Sequence, residues 1–579
     1  MDPDVLAPIA PMAPQDSSHK HILYVGPSRQ QFQALLEAMP AVEGEPNTVD
    51  AGGQEWTWVP AFGVADCLET LRQSYVNLIV LDLRCAGDGA CFTQQKQDII
   101  ELLVALDTVE NVEERYALDR VLLLVAGFDE GQVDQAIIEI GGRGVSSVLR
   151  QTCRVGMTCH PTDPPFASRV LERGRQLLDK PRDRRRALCL ASGGITGIYF
   201  ELGALKCLDD CLSANALNTF DMYFGISAGA VVSSFLAVGY SVDEVMAAMV
   251  GIPSRLDPID MRLFRLKNLD VAELWRRGRY ALRATLATLR SLGRGRMPSL
   301  DTLLLDYSDM VGAPFSTNVL GDPISKAFSQ PGATNDFRQL PAQLFLGATD
   351  QDRRKHVLFG SEGYDDVPIS RAVEASAAIN PAFSSVEIDG RFYEDGAVTR
   401  TSNFVEAMRR GASFVLTVDP FVPYVARERG YSRRRGALYN ADQNIRTMTW
   451  TRYANTRDWM LRRYPQVSSY TIVPQNSLRE LLSVSPFDHR PALAIWRGAY
   501  LSTLQRLEAV GHRLVGDLAA QGVTLELSKA RVVAERLSYC ERPSLGDFFP
   551  DGVIAPKQTP LVGEAGHPAR RALAERSAA

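Results

Sequence analysis

The sequence contains no Cys-x-x-Cys pair, and its nine cysteines are scattered through apolar stretches, so it predicts reduced thiols and no structural zinc site. It has no run of about 18–20 uninterrupted apolar residues, which argues against a membrane-spanning helix. The stretch after Met1 carries acids where a secretory signal carries Lys or Arg, so a cytoplasmic protein is expected. A strong excess of charge of either sign is missing too. Against 68 Asp and Glu stand 63 Lys and Arg, a formal net charge of -5, and no global basic field exists to draw in nucleic acid. Any attraction to anions must be local. No repeat of 20–50 residues is visible, which removes solenoids and propellers.

What is present is a chain of 579 residues, 45% hydrophobic and 23% charged, too long for one ordinary core. The expected organisation is a flexible tail at 1–18, a folded unit at 19–185, a second at 186–540 and a flexible tail at 541–579. Both tails are rich in Pro, Ala and small polar residues and lack periodicity.

In the first unit, apolar runs at 21–25, 77–83, 120–125 and 144–149 alternate with amphipathic segments, and a helix is expected over 166–180. Continuous apolar runs between helices are what a parallel sheet covered on both faces requires. A doubly wound, flavodoxin-like α/β unit is therefore predicted. In order and size it resembles the receiver domain of bacterial response regulators, with Asp82 at the end of the 77–83 run, where that resemblance puts the phosphoacceptor. The pattern departs at three places. Gly26, Pro27 and Ser28 replace the acidic pair that would hold a divalent cation, Ala126 and Gly127 replace the expected hydroxyl, and no lysine follows the fifth strand. The expectation is a phosphorylation-incompetent unit that works through a protein partner or self-association, with Asp82 in a structural role. A degenerate Rossmann unit is the rival, although no Gly-x-Gly-x-x-Gly follows the first strand.

The second unit reads as strand 187–191, small-residue turn 192–197, helix 198–212, strand 220–224, turn 225–229 and helix 230–239, with further strands at 343–347, 356–359 and 414–418. The turn from Gly225 to Gly229 spells Gly-x-Ser-x-Gly, which can lift Ser227 into a cleft at the start of a helix whose dipole favours an alkoxide. The turn containing Gly193, Gly194, Ile195 and Gly197 also opens a helix, and its amides could serve either as an oxyanion hole or as a phosphate loop. Two Asp-Gly pairs follow, at Asp389 and at Asp395 with Gly396, each readable alone as a hairpin turn.

Taken in order, these three motifs resemble the patatin-like phospholipase family over about 187–420, including the small-residue segment 374–383. The resemblance implies a patatin-like α/β hydrolase unit with Ser227 as nucleophile and Asp395 as its direct base. It further implies Gly193, Gly194 and Ile195 as oxyanion donors, and Gly225, Gly229, Gly197 and Gly396 as turn glycines. It implies a lipid or other acyl ester as substrate, with no cofactor and no metal. Asp389 would be only a turn. One departure is that Thr196 stands where the family pattern carries Arg or Lys. Two readings remain beside the dyad: a Ser-Asp-His esterase using His489, and a noncatalytic lipid- or protein-binding module.

Between nucleophile and aspartate, 275–296 contains seven arginines, no acid, and leucines at helical spacing. It reads equally as a basic amphipathic lid in peripheral contact with a membrane and as a surface helix with its leucines in the core. A second cap is expected at 431–464, with Trp450 and Trp459 packing inward.

Overall fold

A computed structural model describes residues 19–549 apart from 74–75, 85–88, 108–119, 128, 152–163, 179–184, 214, 253, 261, 264, 295–298, 300–311, 465–466, 485–487, 520 and 541. The tail expected at 1–18, and residues 550–579 of the tail expected at 541–579, therefore lie outside the described residues. Two sheets organise the chain. The first comprises β1 (His19–Val25), β2 (Thr48–Asp50), β3 (Glu55–Ala61), β4 (Leu78–Arg84), β5 (Val121–Ala126) and β6 (Ser147–Arg150), in the order β2-β3-β1-β4-β5-β6. All its pairs are parallel except β2 with β3.

Alternation along the strands explains why the apolar runs are unbroken. Leu23, Ile79, Leu81 and Leu123 enter one core, whereas Ile22, Tyr24, Leu78, Val80 and Leu122 enter the other. Phe92 and Val133, from helices Gly89–Asp107 and Glu130–Gly141, pack on the first face. Phe32 and Phe166, from Arg29–Glu37 and Pro164–Leu178, pack on the second. The sequence reading missed β2 and β3. Their signal was the pair Trp56 and Trp58, both buried in the second core at two-residue spacing.

The second sheet comprises β7 (Arg186–Leu190), β8 (Met222–Ile226), β9 (Gln343–Asp350), β10 (Lys355–Phe359), β11 (Val386–Ile388), β12 (Arg391–Asp395), β13 (Phe414–Val418) and β14 (Ser468–Ile472). Its order is β11-β12-β9-β8-β7-β13-β14, with β10 paired to β9. The central strands again divide their side chains: Leu188, Leu190 and Tyr223 face one core, Ala187, Cys189 and Phe224 the other. After β7 the chain goes first to β8 and later to β13 on the opposite side, so the order reverses at the end of β7. In open α/β sheets such reversals form crevices at strand C-termini.

Several expected boundaries move. The helix expected from 198 begins at Gly194, and the one expected from 230 begins at Ala228, because small residues allow each helix to start directly at its strand end. Leu545, Phe548 and Phe549 are buried in the large core, so residues 545–549 are not part of the flexible tail expected from 541. In the cap helix Ala437–Arg463, Trp450 packs against the smaller core, but Trp459 is 55% exposed and does not pack inward.

Candidate active site

β8 ends at Ile226 and the next helix starts at Ala228, leaving Ser227 alone to make the corner at φ 54° and ψ −112°. A β-carbon in this left-handed region costs on the order of 1–3 kcal/mol, and the surrounding packing holds it there. That packing demands the two glycines of the motif. A β-carbon on Gly225 would lie 2.3 Å from the Ser233 hydroxyl, and one on Gly229 only 2.2 Å from the Leu190 carbonyl. The Gly229 N–H donates to Ala191 at 3.0 Å, fastening the elbow to the end of β7.

The Ser227 N–H donates to Ser376 Oγ at 2.9 Å, and Ser376 Oγ donates to the Gly347 carbonyl at 2.6 Å. Ser376, at the end of helix Ile369–Ser376, thus links the elbow to β9. It lies inside the small-residue segment singled out in the sequence, but no sequence signal assigned it this role.

Sheet register brings the aspartate alongside. Ile226 pairs with Gly347, and Ala348 pairs with Asp395, so only β9 separates the serine corner from the last residue of β12. Asp395 is 1% exposed. Its Oδ1 accepts the Ala397 N–H at 2.8 Å, and its backbone N–H donates to Ala378 at 3.0 Å. Burial pushes its carboxyl up to about 7, opposed by the Ala397 N–H and by the Ser227 hydroxyl, which is within hydrogen-bonding reach. Gly396 follows because a β-carbon there would meet the Gly347 carbonyl at 2.3 Å. Asp389 and Gly390, both at positive φ, form the turn between β11 and β12 and are no part of this site.

The first helical turn after β7 supplies backbone donors. Gly193 caps helix Gly194–Cys211 without a side-chain bond, so the early amides, Gly194 and Ile195 among them, lack a capping side chain. Gly194 sits at φ 64°, where glycine carries no steric penalty. This turn packs against the elbow: a β-carbon on Gly197 would lie 3.3 Å from Ala228 Cβ and 3.2 Å from Pro420 Cγ. Thr196 is 1% exposed, with its hydroxyl turned back toward the Gly193 carbonyl.

Neither His489 nor His356 takes part in the juxtaposition. His489 is exposed. His356 is half-buried and spends both ring nitrogens on Thr399 and Asn403, and desolvation lowers it to about 4, keeping it neutral at physiological pH. Its Thr399 partner contacts Thr349, which donates to the Asp395 carbonyl at 3.0 Å, so His356 braces the aspartate from behind. Two further acids escaped the sequence reading. Asp419, just past β13, is pushed up to about 7 by burial, and Glu201 on the helix after β7 is pushed well above its ordinary value by burial and by Asp419.

In the first sheet, Asp82 is 1% exposed at the end of β4. Arg84 donates from Nε to Oδ1 at 2.8 Å and from Nη2 to Oδ2 at 2.6 Å, and the Tyr24 hydroxyl donates to Oδ2 at 2.7 Å. Both carboxylate oxygens are taken up by an internal cation and a phenol.

Residues 188–408 match the family model "Patatin-like phospholipase". A cUMP-AMP-activated phospholipase of Escherichia coli is 40% identical over 62 residues, which is 11% of this chain and spans 19% of that protein. Among solved structures, VipD from Legionella pneumophila aligns at 11% identity over 67% of this chain and 93% of its own, with a TM-score of 0.23. The type III effector protein ExoU aligns at 16% identity over 64% and 67%, with a TM-score of 0.21.

Proposed function

We propose that residues 186–540 form a serine acyl hydrolase that cleaves lipid acyl esters, of the phospholipase A or lysophospholipase type, with Ser227 as nucleophile and Asp395 as base. The observation that carries this reading is the strained Ser227 corner set one strand away from a buried carboxylate whose proton affinity lies near neutrality. The match to the patatin-like phospholipase family over 188–408 supports the lipid substrate class.

Ser227 Oγ attacks the ester carbonyl as its proton passes to Asp395, and the oxygen that becomes negative is held by the amides of Gly193, Gly194 and Ile195. Collapse breaks the ester C–O bond, Asp395 returns the proton to the departing alcohol, and the acyl group stays on Ser227. Water then gives a proton to Asp395 and attacks the acyl carbon, releasing the fatty acid and restoring the serine. Thr196 does not weaken this scheme, because backbone donors need no particular side chain. The exposure of His489 tells against a Ser-Asp-His esterase. A unit spanning 19–185 serves in this reading as an interaction or regulatory module, since Arg84 occupies the carboxylate that phosphorylation would need.

The test is incubation of purified protein with mixed phospholipids, lysophospholipids and neutral lipids, followed by mass spectrometry, beside Ser227→Ala. Fatty acid released by the parent and not by the variant supports the hydrolase. Release that survives the substitution refutes Ser227, and no release from any ester favours the noncatalytic binding module.

A further inference from the structure

The helix Val271–Gly293 is turned the opposite way from an ordinary surface helix. Its half-buried positions are Arg277, Ala281, Ala284, Thr288 and Ser291, spaced by four, three, four and three residues and therefore on one stripe. Most of these are small. The other side presents Trp275, Leu282, Leu286 and Leu289, exposed by 67%, 60%, 43% and 58%. Of the two readings the sequence allowed, the one that places these leucines in the core does not hold, since they face outward. Scattered exposed apolar residues are commonplace, but a continuous apolar stripe marks a surface that binds something.

The charges beside the stripe identify the partner. Arg279, Arg283 and Arg290 are exposed along its flank and have no ion-pair partner among the described residues. The one acid of the helix, Glu273, is 6% exposed and is neutralised by Arg276 at 3.0 Å and Arg277 at 2.6 Å. The Arg279 guanidinium lies 5.1 Å from the Trp275 ring, grouping an interfacial aromatic with a cation. Apolar residues that insert, flanked by cations, fit the boundary between acyl chains and anionic headgroups. Among the described residues no helix, this one included, is long and apolar enough to cross a membrane.

We propose that the outward face of Val271–Gly293 seats the protein on an anionic lipid surface. The choice of lipid over a protein partner rests on the reading above, in which the substrate is a lipid ester. The root of the helix is joined to the candidate active site. Asp270 caps it by accepting the Glu273 N–H at 2.9 Å and also accepts the Ser384 hydroxyl at 2.7 Å. Residue 384 closes the stretch that contains Ser376, which holds Ser227, and Ala378, which accepts the Asp395 N–H. Seating and site are thus connected through residues 376–384.

The experiment is vesicle flotation of the full chain carrying Ser227→Ala, so that binding is read without hydrolysis. Vesicles of phosphatidylcholine alone are compared with phosphatidylcholine mixed with phosphatidylglycerol, at low and high salt. The expected result is recovery with the anionic mixture, weakened by salt. Replacing Arg279, Arg283 and Arg290 with Gln should lower partitioning by about a hundredfold, at roughly fivefold per cation. Replacing Leu282, Leu286 and Leu289 with Ser should lower it by at least as much. With the native serine present, both triple variants should keep hydrolysis of a short-chain soluble ester and lose it on vesicles.

Unchanged flotation of both variants overturns the proposal. So does a leucine variant that floats normally but dissociates from dimer to monomer in light scattering, which would make the face a contact between copies. Normal flotation of a parent that hydrolyses no ester would instead refute the proposed function and leave this surface standing.

Discussion

Asp395→Asn should make the protein more stable as pH rises while abolishing turnover. Burial holds the Asp395 carboxyl at about 7 against an ordinary 3.8, opposed by the Ala397 N–H and the Ser227 hydroxyl and with Glu394 adding like charge. The sign follows from which state binds the proton. Below about pH 4 both folded and unfolded chains carry it, so burial of the acid costs nothing. Between about pH 4 and 7 the unfolded chain ionises and the folded one does not, and stability falls by up to about 1.4 kcal/mol per pH unit. Three such units give about 4 kcal/mol in full, or roughly 2–4 kcal/mol after relaxation around the site, reached near pH 7 and constant above it.

Asparagine keeps the acceptor for the Ala397 N–H and never ionises. Urea unfolding of the parent and Asp395→Asn at pH 4, 6 and 8 should therefore show a difference near zero at the lowest pH that grows in the variant's favour. In the parent, kcat/KM should rise with pH through about 7 as Asp395 becomes able to accept the serine proton. A stability difference that is flat from pH 4 to 8 would refute the assignment of a raised proton affinity to this carboxyl.

Ser376→Ala removes the acceptor of the buried Ser227 N–H, which should cost about 1–3 kcal/mol and lower kcat more than KM, as single-turnover kinetics would show. Gly229→Ala forces a β-carbon to 2.2 Å from the Leu190 carbonyl and should cost about 3 kcal/mol or more in thermal unfolding, since backbone must move. By the same measurement Gly278→Ala, with nothing within 4 Å of its new β-carbon, should stabilise its exposed helix by about 1 kcal/mol. Arg84→Met leaves the Asp82 carboxylate without its cation, with only the Tyr24 hydroxyl and the residue-84 backbone N–H as donors, and should destabilise the chain by about 3–5 kcal/mol in urea. With Arg84 in place, acetyl phosphate and magnesium should leave intact mass unchanged, and a stoichiometric adduct lost in Asp82→Asn would show that the carboxylate is accessible.

The parts legible in the sequence are those fixed by near neighbours. The apolar runs at β1, β4 and β5 demanded a sheet covered on both faces, and alternation within them supplied both cores. Gly225, Ser227 and Gly229 announced a sharp corner because strand, turn and helix follow within a few residues. The Asp389 turn was readable for the same reason. The amphipathic character of 271–293 could also be read from spacing, but spacing does not say which stripe meets the protein, and the structure turns a half-buried stripe of mostly small residues inward and exposes the leucines. Ser376, 149 residues from Ser227, and the brace from His356 to Asp395 carried no local signal. Arg84 stands two residues from Asp82, yet its capture of both oxygens depends on a desolvated strand end that no pair of letters reveals. The sequence by itself determined the central apolar strands, the elbow and the supply of candidate groups, because backbone preference and periodicity act over a few residues. Only the tertiary structure decided that Asp395 stands one strand from Ser227 and holds its proton near neutrality, because strand order and exclusion of water are properties of the assembled sheet.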